Sequence, residues 1–311
     1  MGMQMGNQFQ KSLEDFLSKI TEEKNVIAVF LFGSLAKNDS WKKSDVDIAV
    51  ILRDGVSKDQ YISYSACEDS IDFEVNVFDR AYFMERLYDH KTLNFYRSMV
   101  ETGKILYCKD EDIESLFEKP IPLTKREQEE QLLARGTYAS ICRLKAEKHI
   151  FHTKDVRLAF DYINRYVNNL SCIEVLLHHQ VYGREPECQA MQLNPAVFSS
   201  LCETIYENQI TIDVLHELFE RCDQYLRGHA QIIFQPLLSW LEKEESERGI
   251  SEISGYIQEK YQVDNDLFQI TNACNFLVEE KYLIRTCSLR TISSKSKVRV
   301  EQQAYAYNYY H

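Results

Sequence analysis

The chain has 311 residues, 44% of them hydrophobic, and its 48 acidic and 36 basic residues give a formal net charge of −12. This length accommodates two or three domains, and the apolar content suffices for ordinary cores. The negative charge argues against a protein that coats nucleic acid over its whole surface, but it leaves room for a local basic patch. No apolar run of about 18 residues occurs and the first ten residues lack a charged-then-apolar pattern, so neither a membrane span nor a signal peptide is expected.

The cysteines indicate a reducing compartment. All nine lie outside any Cys-x-x-Cys pair, and most of them fall within apolar patterns. This usage is typical of buried thiols in a cytoplasmic protein. We therefore expect a cytoplasmic location and no zinc site.

The N-terminal part predicts a helix followed by a buried strand. Residues 9–24 carry apolar side chains at helical spacing. Residues 26–32, VIAVFLF, form an unbroken apolar run rich in β-branched and aromatic types, as a buried strand does. Gly33 and Ser34 end this strand, and a short helix that begins at Ser34 would direct its free N–H groups at a phosphate.

Two carboxylates follow a polar turn. Asp45 and Asp47 flank Val46 and precede the apolar run IAVI, so the strand period of two places both acids on one face. Neighbouring carboxylates repel each other unless a cation lies between them, and Mg²⁺ prefers carboxylate and phosphate oxygens. Gly33, Ser34 and Ser44 would contact the phosphates of a bound nucleoside triphosphate.

The stretch 26–51 resembles the signature of the DNA polymerase β-like nucleotidyltransferase superfamily, in which hG[GS] is followed by Dh[DE]h. Ser34 follows one apolar strand, Asp45 begins the next, and the two residues are eleven positions apart. Few unrelated sequences combine these features. The resemblance implies a nucleotidyltransferase fold with a mixed β-sheet, Mg²⁺ as the metal, and ATP as the default donor. An exposed DVD on an edge strand is the structural alternative.

A third carboxylate is predicted on a later strand. Residues 57–70 are polar and helical at best, whereas residues 71–78, IDFEVNVF, alternate as a strand with Asp72 and Glu74 on one face. FEVNVFDRAYFMERL (73–87) resembles the third-carboxylate segment of the kanamycin (aminoglycoside) nucleotidyltransferases, and the matching position is Glu74. Asp72 is the second choice. A helix over about 80–102 and a short strand at GKILY follow.

The middle of the chain predicts a helical bundle. Two prolines and a charge run within 110–126 place a domain boundary near 120, and helical patterns cover about 127–150, 155–182, 195–207 and 211–244. FDYINRY (160–166) is similar to the second-domain segment of the aminoglycoside enzymes. The resemblance implies that Asp161 is a general base and that Arg165 contacts the nucleotide phosphates. A surface ion pair at this i, i+4 spacing is an equal alternative.

Two other patterns in the bundle have a catalytic and a structural interpretation. His178 and His179 are more often packed or solvated than catalytic. Arg143 and His149 have the outline of the helical HEPN ribonuclease motif, but the surrounding pattern of that motif is missing and the pair falls on the first long helix. A structural role is therefore expected for all four residues.

The last 65 residues predict two helices and a β-hairpin, which is the element order of a winged helix. Residues 281–300 hold Lys281, Arg285, Arg290, Lys295, Lys297 and Arg299 and no acid. Such a basic hairpin suits nucleic-acid phosphate, but the preceding helix is not basic. Nucleic-acid contact and an intramolecular or dimer contact remain two open interpretations.

The sequence thus predicts an α+β protein with a nucleotidyltransferase catalytic domain over residues 1–119. A four-helix-bundle acceptor-binding domain would occupy residues 120–246, and a winged-helix-like domain residues 247–311. Asp45, Asp47 and Glu74 would bind Mg²⁺ while a nucleoside monophosphate moves to the hydroxyl of a small, aminoglycoside-like acceptor. The alternatives are a nucleotide-sensing regulator that binds nucleic acid, and a protein-AMPylating antitoxin.

Overall fold

The computed structural model describes residues 2–36, 45–89, 93–119, 121–207, 209–261, 266–293 and 295–310. Its contacts divide the chain into two compact units, Met1–Pro122 and Leu123–His311. Each unit has its own β-sheet and helices, so the predicted α+β class is confirmed.

The first unit is a mixed sheet with helices. The sheet has the strand order β3-β4-β2-β1-β5, in which β2 and β4 are parallel and every other pair is antiparallel. The elements in chain order are α1 Gly2–Thr21, β1 Val26–Phe32, α2 Gly33–Ala36, β2 Val46–Leu52, β3 Tyr61–Glu68, β4 Ile71–Asp79, α3 Arg80–Arg86, α4 Leu93–Glu101, β5 Lys104–Cys108 and α5 Glu111–Glu118.

Helices cover both faces of this sheet. On one face, Val29, Ile48 and Val75 pack against Phe16 of α1. On the other face, residues such as Phe30 and Ile51 pack against side chains of α3, α4 and α5. Because β1 is buried on both faces, its sequence reads as a continuous apolar run, and the prediction of this strand is confirmed.

Strand β3 corrects the sequence interpretation. Residues 57–70 were expected to be helical at best, but Tyr61–Glu68 pairs antiparallel with β4 along its whole length. The connecting residues Asp69 and Ser70 have φ values of 49° and 65°. Two consecutive positive φ values characterise the tight type I′ hairpin turn, and Asp is one of the residues that adopts them. The predicted helix over 80–102 is likewise two helices, α3 and α4.

The second unit combines a helical bundle with a small three-stranded sheet of order β6-β8-β7. Its elements in chain order are α6 Lys125–Glu147, a π-helical turn Lys148–His152, α7 Val156–Leu177, α8 Pro186–Leu193, α9 Pro195–Glu207, α10 Ile212–Ile233, α11 Gln235–Glu244, β6 Arg248–Gly249, α12 Ile250–Tyr261, α13 Leu267–Glu279, β7 Leu283–Thr291 and β8 Arg299–Tyr307.

Two prolines explain why the bundle has more helices than the four predicted. The expected helix 211–244 ends at Ile233 and restarts at Gln235, with Pro236 in the first turn of α11. Pro186 begins the additional helix α8 rather than merely separating its neighbours. Proline is favoured at the start of a helix, where its missing N–H has no partner to lose. The predicted separation of a bundle and a C-terminal domain at 246 remains a prediction, since both lie in one unit.

A network of buried charges joins α13 to the bundle. Arg143 on α6 donates to Asp223 on α10 at 2.5 Å, and its Nη2 lies 2.9 Å from the carboxylate of Glu279 on α13. Arg227 donates to the second oxygen of Asp223 at 2.7 Å and pairs with Glu280. Arg143 and Asp223 are both buried, so each charge depends on the other for its stabilisation.

We expect the substitution Asp223→Ala to lower the free energy of unfolding by about 3 to 5 kcal/mol, because it leaves Arg143 buried without its closest carboxylate. Chemical denaturation of the full chain measures this change. Glu217→Ala on the same helix is the control, since Glu217 is exposed and pairs with Arg221 only at 3.9 Å. It should cost no more than about 0.5 kcal/mol. Equal losses in both variants would show that the network contributes nothing beyond a surface pair.

Candidate functional site

The first unit brings Gly33 and Asp47 into direct contact at the end of β1. Gly33 has a φ of +74°, and a methyl group placed on its Cα would overlap Oδ2 of Asp47 and lie 2.8 Å from its Cγ. An L-residue is strained at this φ, and here it would also collide with a carboxylate. The turn after β1 is therefore shaped to accept the side chain of Asp47.

The strand register assembles the acids around this turn. Asp47 lies opposite Phe32 of β1 and opposite Glu74 of the parallel strand β4. Residues directly opposite each other in a sheet point to the same face, so Asp47 and Glu74 share the face that α3, α4 and α5 cover elsewhere. Asp45 is exposed and immediately precedes β2.

The register also distinguishes the two choices for the third carboxylate. The β2–β4 ladder begins at the pair Val46 and Phe73, so Glu74 has Asp47 as its direct neighbour. Asp72 precedes the first pair of that ladder and lies opposite Cys67 of β3. We therefore retain Glu74 as the candidate ligand and Asp72 as the alternative.

The predicted phosphate contacts are only partly described. Helix α2 begins at Gly33, and Ser34 is half-buried within its first turn. Ser44 lies outside the described residues. Ser65 on β3, opposite Glu74, is a polar neighbour of the site that the sequence pattern did not indicate, because its strand was not predicted.

The donor set suits a divalent cation. Within the described ranges, no three His, Cys, Asp or Glu side chains are arranged to hold a metal ion. Even so, Asp45, Asp47 and Glu74 offer only the oxygen ligands that Mg²⁺ prefers, and the absence of a side chain at Gly33 lets the Asp47 carboxylate lie against the backbone of the turn. These residues therefore fit a Mg²⁺ ion.

Asp161 and Arg165 belong to the second unit, where they form an ion pair on α7. The Nη2 of Arg165 lies 3.1 Å from Oδ2 of Asp161, and their side chains are 63% and 49% exposed. Burial raises the pKa of the nearby Cys142 thiol to about 11, while the charges of Arg165 and Asp161 act on it in opposite directions. Cys142 therefore stays protonated at neutral pH.

Three of the four other bundle residues with a possible catalytic pattern have structural partners, and the fourth, His179, is exposed. Arg143 is held in the buried ion network. The ring of His149 stacks on Tyr162 at 5.7 Å between centroids, and its Nδ1 lies 2.9 Å from Oγ1 of Thr153. His178 lies 3.0 Å from the buried carboxylate of Glu174. These contacts explain the positions of Arg143, His149 and His178 without a catalytic role.

Residues 14–112 match the family model described as "Polymerase beta, Nucleotidyltransferase". The matched range contains Gly33, Asp45, Asp47 and Glu74. This segment is a nucleotidyltransferase domain of the DNA polymerase β-like superfamily. The predicted superfamily is thereby confirmed, and the domain type implies a nucleoside triphosphate substrate. A comparison with curated proteins returns no match.

A solved structure shares the fold of the whole chain, beyond the nucleotidyltransferase domain. It is a nucleotidyltransferase-like protein from Exiguobacterium sibiricum 255-15, with a TM-score of 0.58 and 11% sequence identity. The alignment covers 96% of this chain and 99% of that one. At this identity the likeness shows the fold alone.

The helices of the described residues include none with the length and apolar character of a membrane span.

The contact between Gly33 and Asp47 leads to a test of the nucleotidyltransferase domain. We expect Gly33→Ala to weaken Mg²⁺-dependent triphosphate binding by about 10- to 100-fold, the usual effect of displacing a residue that positions a metal ligand. Calorimetric titration of the full chain with each triphosphate measures it.

Gly55→Ala is the matched control. Gly55 has nearly the same φ, +75°, but a methyl group there would meet nothing within 4 Å. Both variants carry the strain of alanine at positive φ, so a lower melting temperature is expected in both. If the two variants bound triphosphate equally well, the close approach of Asp47 to Gly33 would not matter for binding.

Proposed function

We propose that the chain is a metal-dependent nucleotidyltransferase that moves a nucleoside monophosphate from a triphosphate to a hydroxyl group and releases pyrophosphate. The observation that carries this proposal is the contact of Asp47 with the glycine turn, with Glu74 on the neighbouring strand, inside a domain of matching type. ATP is the proposed donor, by resemblance to the superfamily.

Each candidate site residue of the first unit has a proposed role in binding the metal or the triphosphate. Asp45, Asp47 and Glu74 hold Mg²⁺, which when bound supplies positive charge to the phosphate oxygens. Gly33 lets the backbone approach the triphosphate, and Ser34 and Ser44 donate hydrogen bonds to it. Rate enhancement then comes mainly from holding the donor in line with the acceptor and stabilising the charge around the α-phosphorus.

The second unit supplies the proposed acid–base chemistry. Asp161 takes the proton of the acceptor hydroxyl. The hydroxyl oxygen then forms a bond to the α-phosphorus as the bond from that phosphorus to pyrophosphate breaks. Arg165, the ion-pair partner of Asp161, is proposed to contact the phosphates. The exposure of both side chains is consistent with access by substrate.

The proposed acceptor is an aminoglycoside-like small molecule. Its support is the resemblance to the aminoglycoside enzymes, which extends from the nucleotide-binding strands to FDYINRY. A protein tyrosine is the acceptor under the alternative of an AMPylating antitoxin. A screen that uses labelled ATP separates the two, because label recovered on a small aminocyclitol and label recovered on a protein partner are chemically distinct products.

We expect Asp47→Asn and Glu74→Gln each to abolish Mg²⁺-dependent binding of triphosphate, because each removes a charged metal ligand. Calorimetry with and without chelator measures this loss. Asp72→Asn is the control, since it removes an exposed acid from the same strand and face and should leave the affinity unchanged. Loss of binding in Asp72→Asn with retention in Glu74→Gln would assign the third carboxylate to Asp72 instead.

We expect Asp161→Asn to lower kcat by about 10²- to 10⁴-fold and to leave the affinity for triphosphate unchanged, as the removal of a general base does. Steady-state kinetics with the acceptor found in the screen measures both quantities. Glu217→Gln, an exposed acid on α10 that is also paired at i, i+4, is the control. Unchanged kcat in Asp161→Asn would remove Asp161 from the mechanism.

A further inference from the structure

We propose that a basic hairpin arm in the second unit binds double-stranded DNA, a function separate from nucleotidyl transfer. The arm consists of residues 289–293 and 295–300, at the far end of β7 and β8. Leu289, Ile292 and Val298 of the arm are 62%, 64% and 57% exposed. The near end of the same hairpin is anchored, since Leu283 and Tyr305 are buried. The arm therefore extends beyond the core that holds it.

The cations of this hairpin differ from those of the bundle in their surroundings. Among the described residues, no Asp or Glu oxygen lies within 4.0 Å of the charged groups of the six basic residues at 281–300. In the bundle, by contrast, Arg143, Arg165 and Arg227 are all ion-paired. Arg290 donates to the hydroxyl of Ser251, whereas Lys295, Lys297 and Arg299 lie nearer the tip of the hairpin. A cluster of like charges without ion-pair contacts is a candidate binding surface for a polyanion.

Helix α13, which would read bases in a winged-helix protein, is engaged within the unit. It packs against α6, and Glu279 near its end pairs with Arg143. Gln269 and Asn272, two of its polar side chains suited to base contacts, are buried. The cavity between α6 and α13 has a volume of only about 300 Å³. Contact with DNA is therefore assigned to the arm rather than to Gln269 and Asn272 of α13.

The shape of the arm suits the major groove of B-form DNA. Two paired strands have backbones about 4.8 Å apart. The major groove is about 12 Å wide and admits a two-stranded ribbon, whereas the deep, narrow major groove of duplex RNA does not. This difference in width selects DNA over RNA as the occupant.

The composition of the arm favours DNA over a membrane surface or a protein as its partner. Register places Ile292, Val298 and Val300 on one face of the hairpin, and such side chains can contact thymine methyl groups. The arm has no aromatic residue, whereas membrane-surface segments favour Trp and Phe. It also carries two lysines, which are depleted at protein–protein interfaces.

The test uses the full chain and a fluorescein-labelled DNA duplex of about 20 bp, titrated by anisotropy between about 50 and 200 mM NaCl. We expect binding by the wild type that weakens steeply with salt. The triple variant Lys295→Gln, Lys297→Gln, Arg299→Gln should bind about tenfold or more weakly and reduce the logarithmic salt slope by about 2 to 3. Ile292→Ser should weaken binding without changing the salt slope, because it removes no charge.

The control variant Lys11→Gln, Lys24→Gln, Lys58→Gln makes the same change in net charge at exposed positions of the first unit and should bind like the wild type. An equal loss in this control would overturn the proposal, as would the absence of wild-type binding at about 50 mM NaCl. Equal affinity for duplex RNA would overturn the choice of DNA. Arm-dependent binding to anionic vesicles, or arm-dependent self-association, without DNA binding would assign the arm to a lipid surface or to a second copy.

Discussion

The candidate site depends on one close approach, that of the Asp47 carboxylate to the backbone of Gly33. This approach is possible because the chain turns at positive φ directly after a buried strand and has no side chain at that point. The two helical layers hold β1 and β2 in register, so that Asp47 lies opposite Phe32 and beside Glu74. A slip of one residue in either strand would turn the acids to the opposite face.

The strands of the first unit were predictable to the extent that burial left a pattern in their sequence. β1 and β2 read as apolar runs and β4 as an alternation, because their burial repeats regularly. β3 is an edge strand whose residues are mostly exposed on both faces, so neither pattern appears. Its clearest signal was the pair Asp69 and Ser70, which occupies a turn that requires two positive φ values.

The site was predictable from spacing only in part. The order of strand, glycine turn and two acids indicated a place for a triphosphate, and the family match now covers that order. The contact between Gly33 and Asp47 is a tertiary one, and no spacing rule gives it. In the second unit the helical periodicity indicated helices but not all of their ends, because the apolar pattern continues through Phe234 where α10 ends. The two-residue strand β6 is too short to leave a pattern.

The charges of the second unit show why composition alone could not decide between internal and external contacts. Arg143 and Arg285 are both arginines in mixed patterns, yet Arg143 is buried with carboxylates on two other helices and Arg285 is exposed without one. Burial of a charge is tolerated only where partners from distant parts of the chain converge on it. Such convergence ties α13 to the bundle. The cations of the basic hairpin arm differ from Arg143, because among the described residues no carboxylate oxygen lies within 4.0 Å of them.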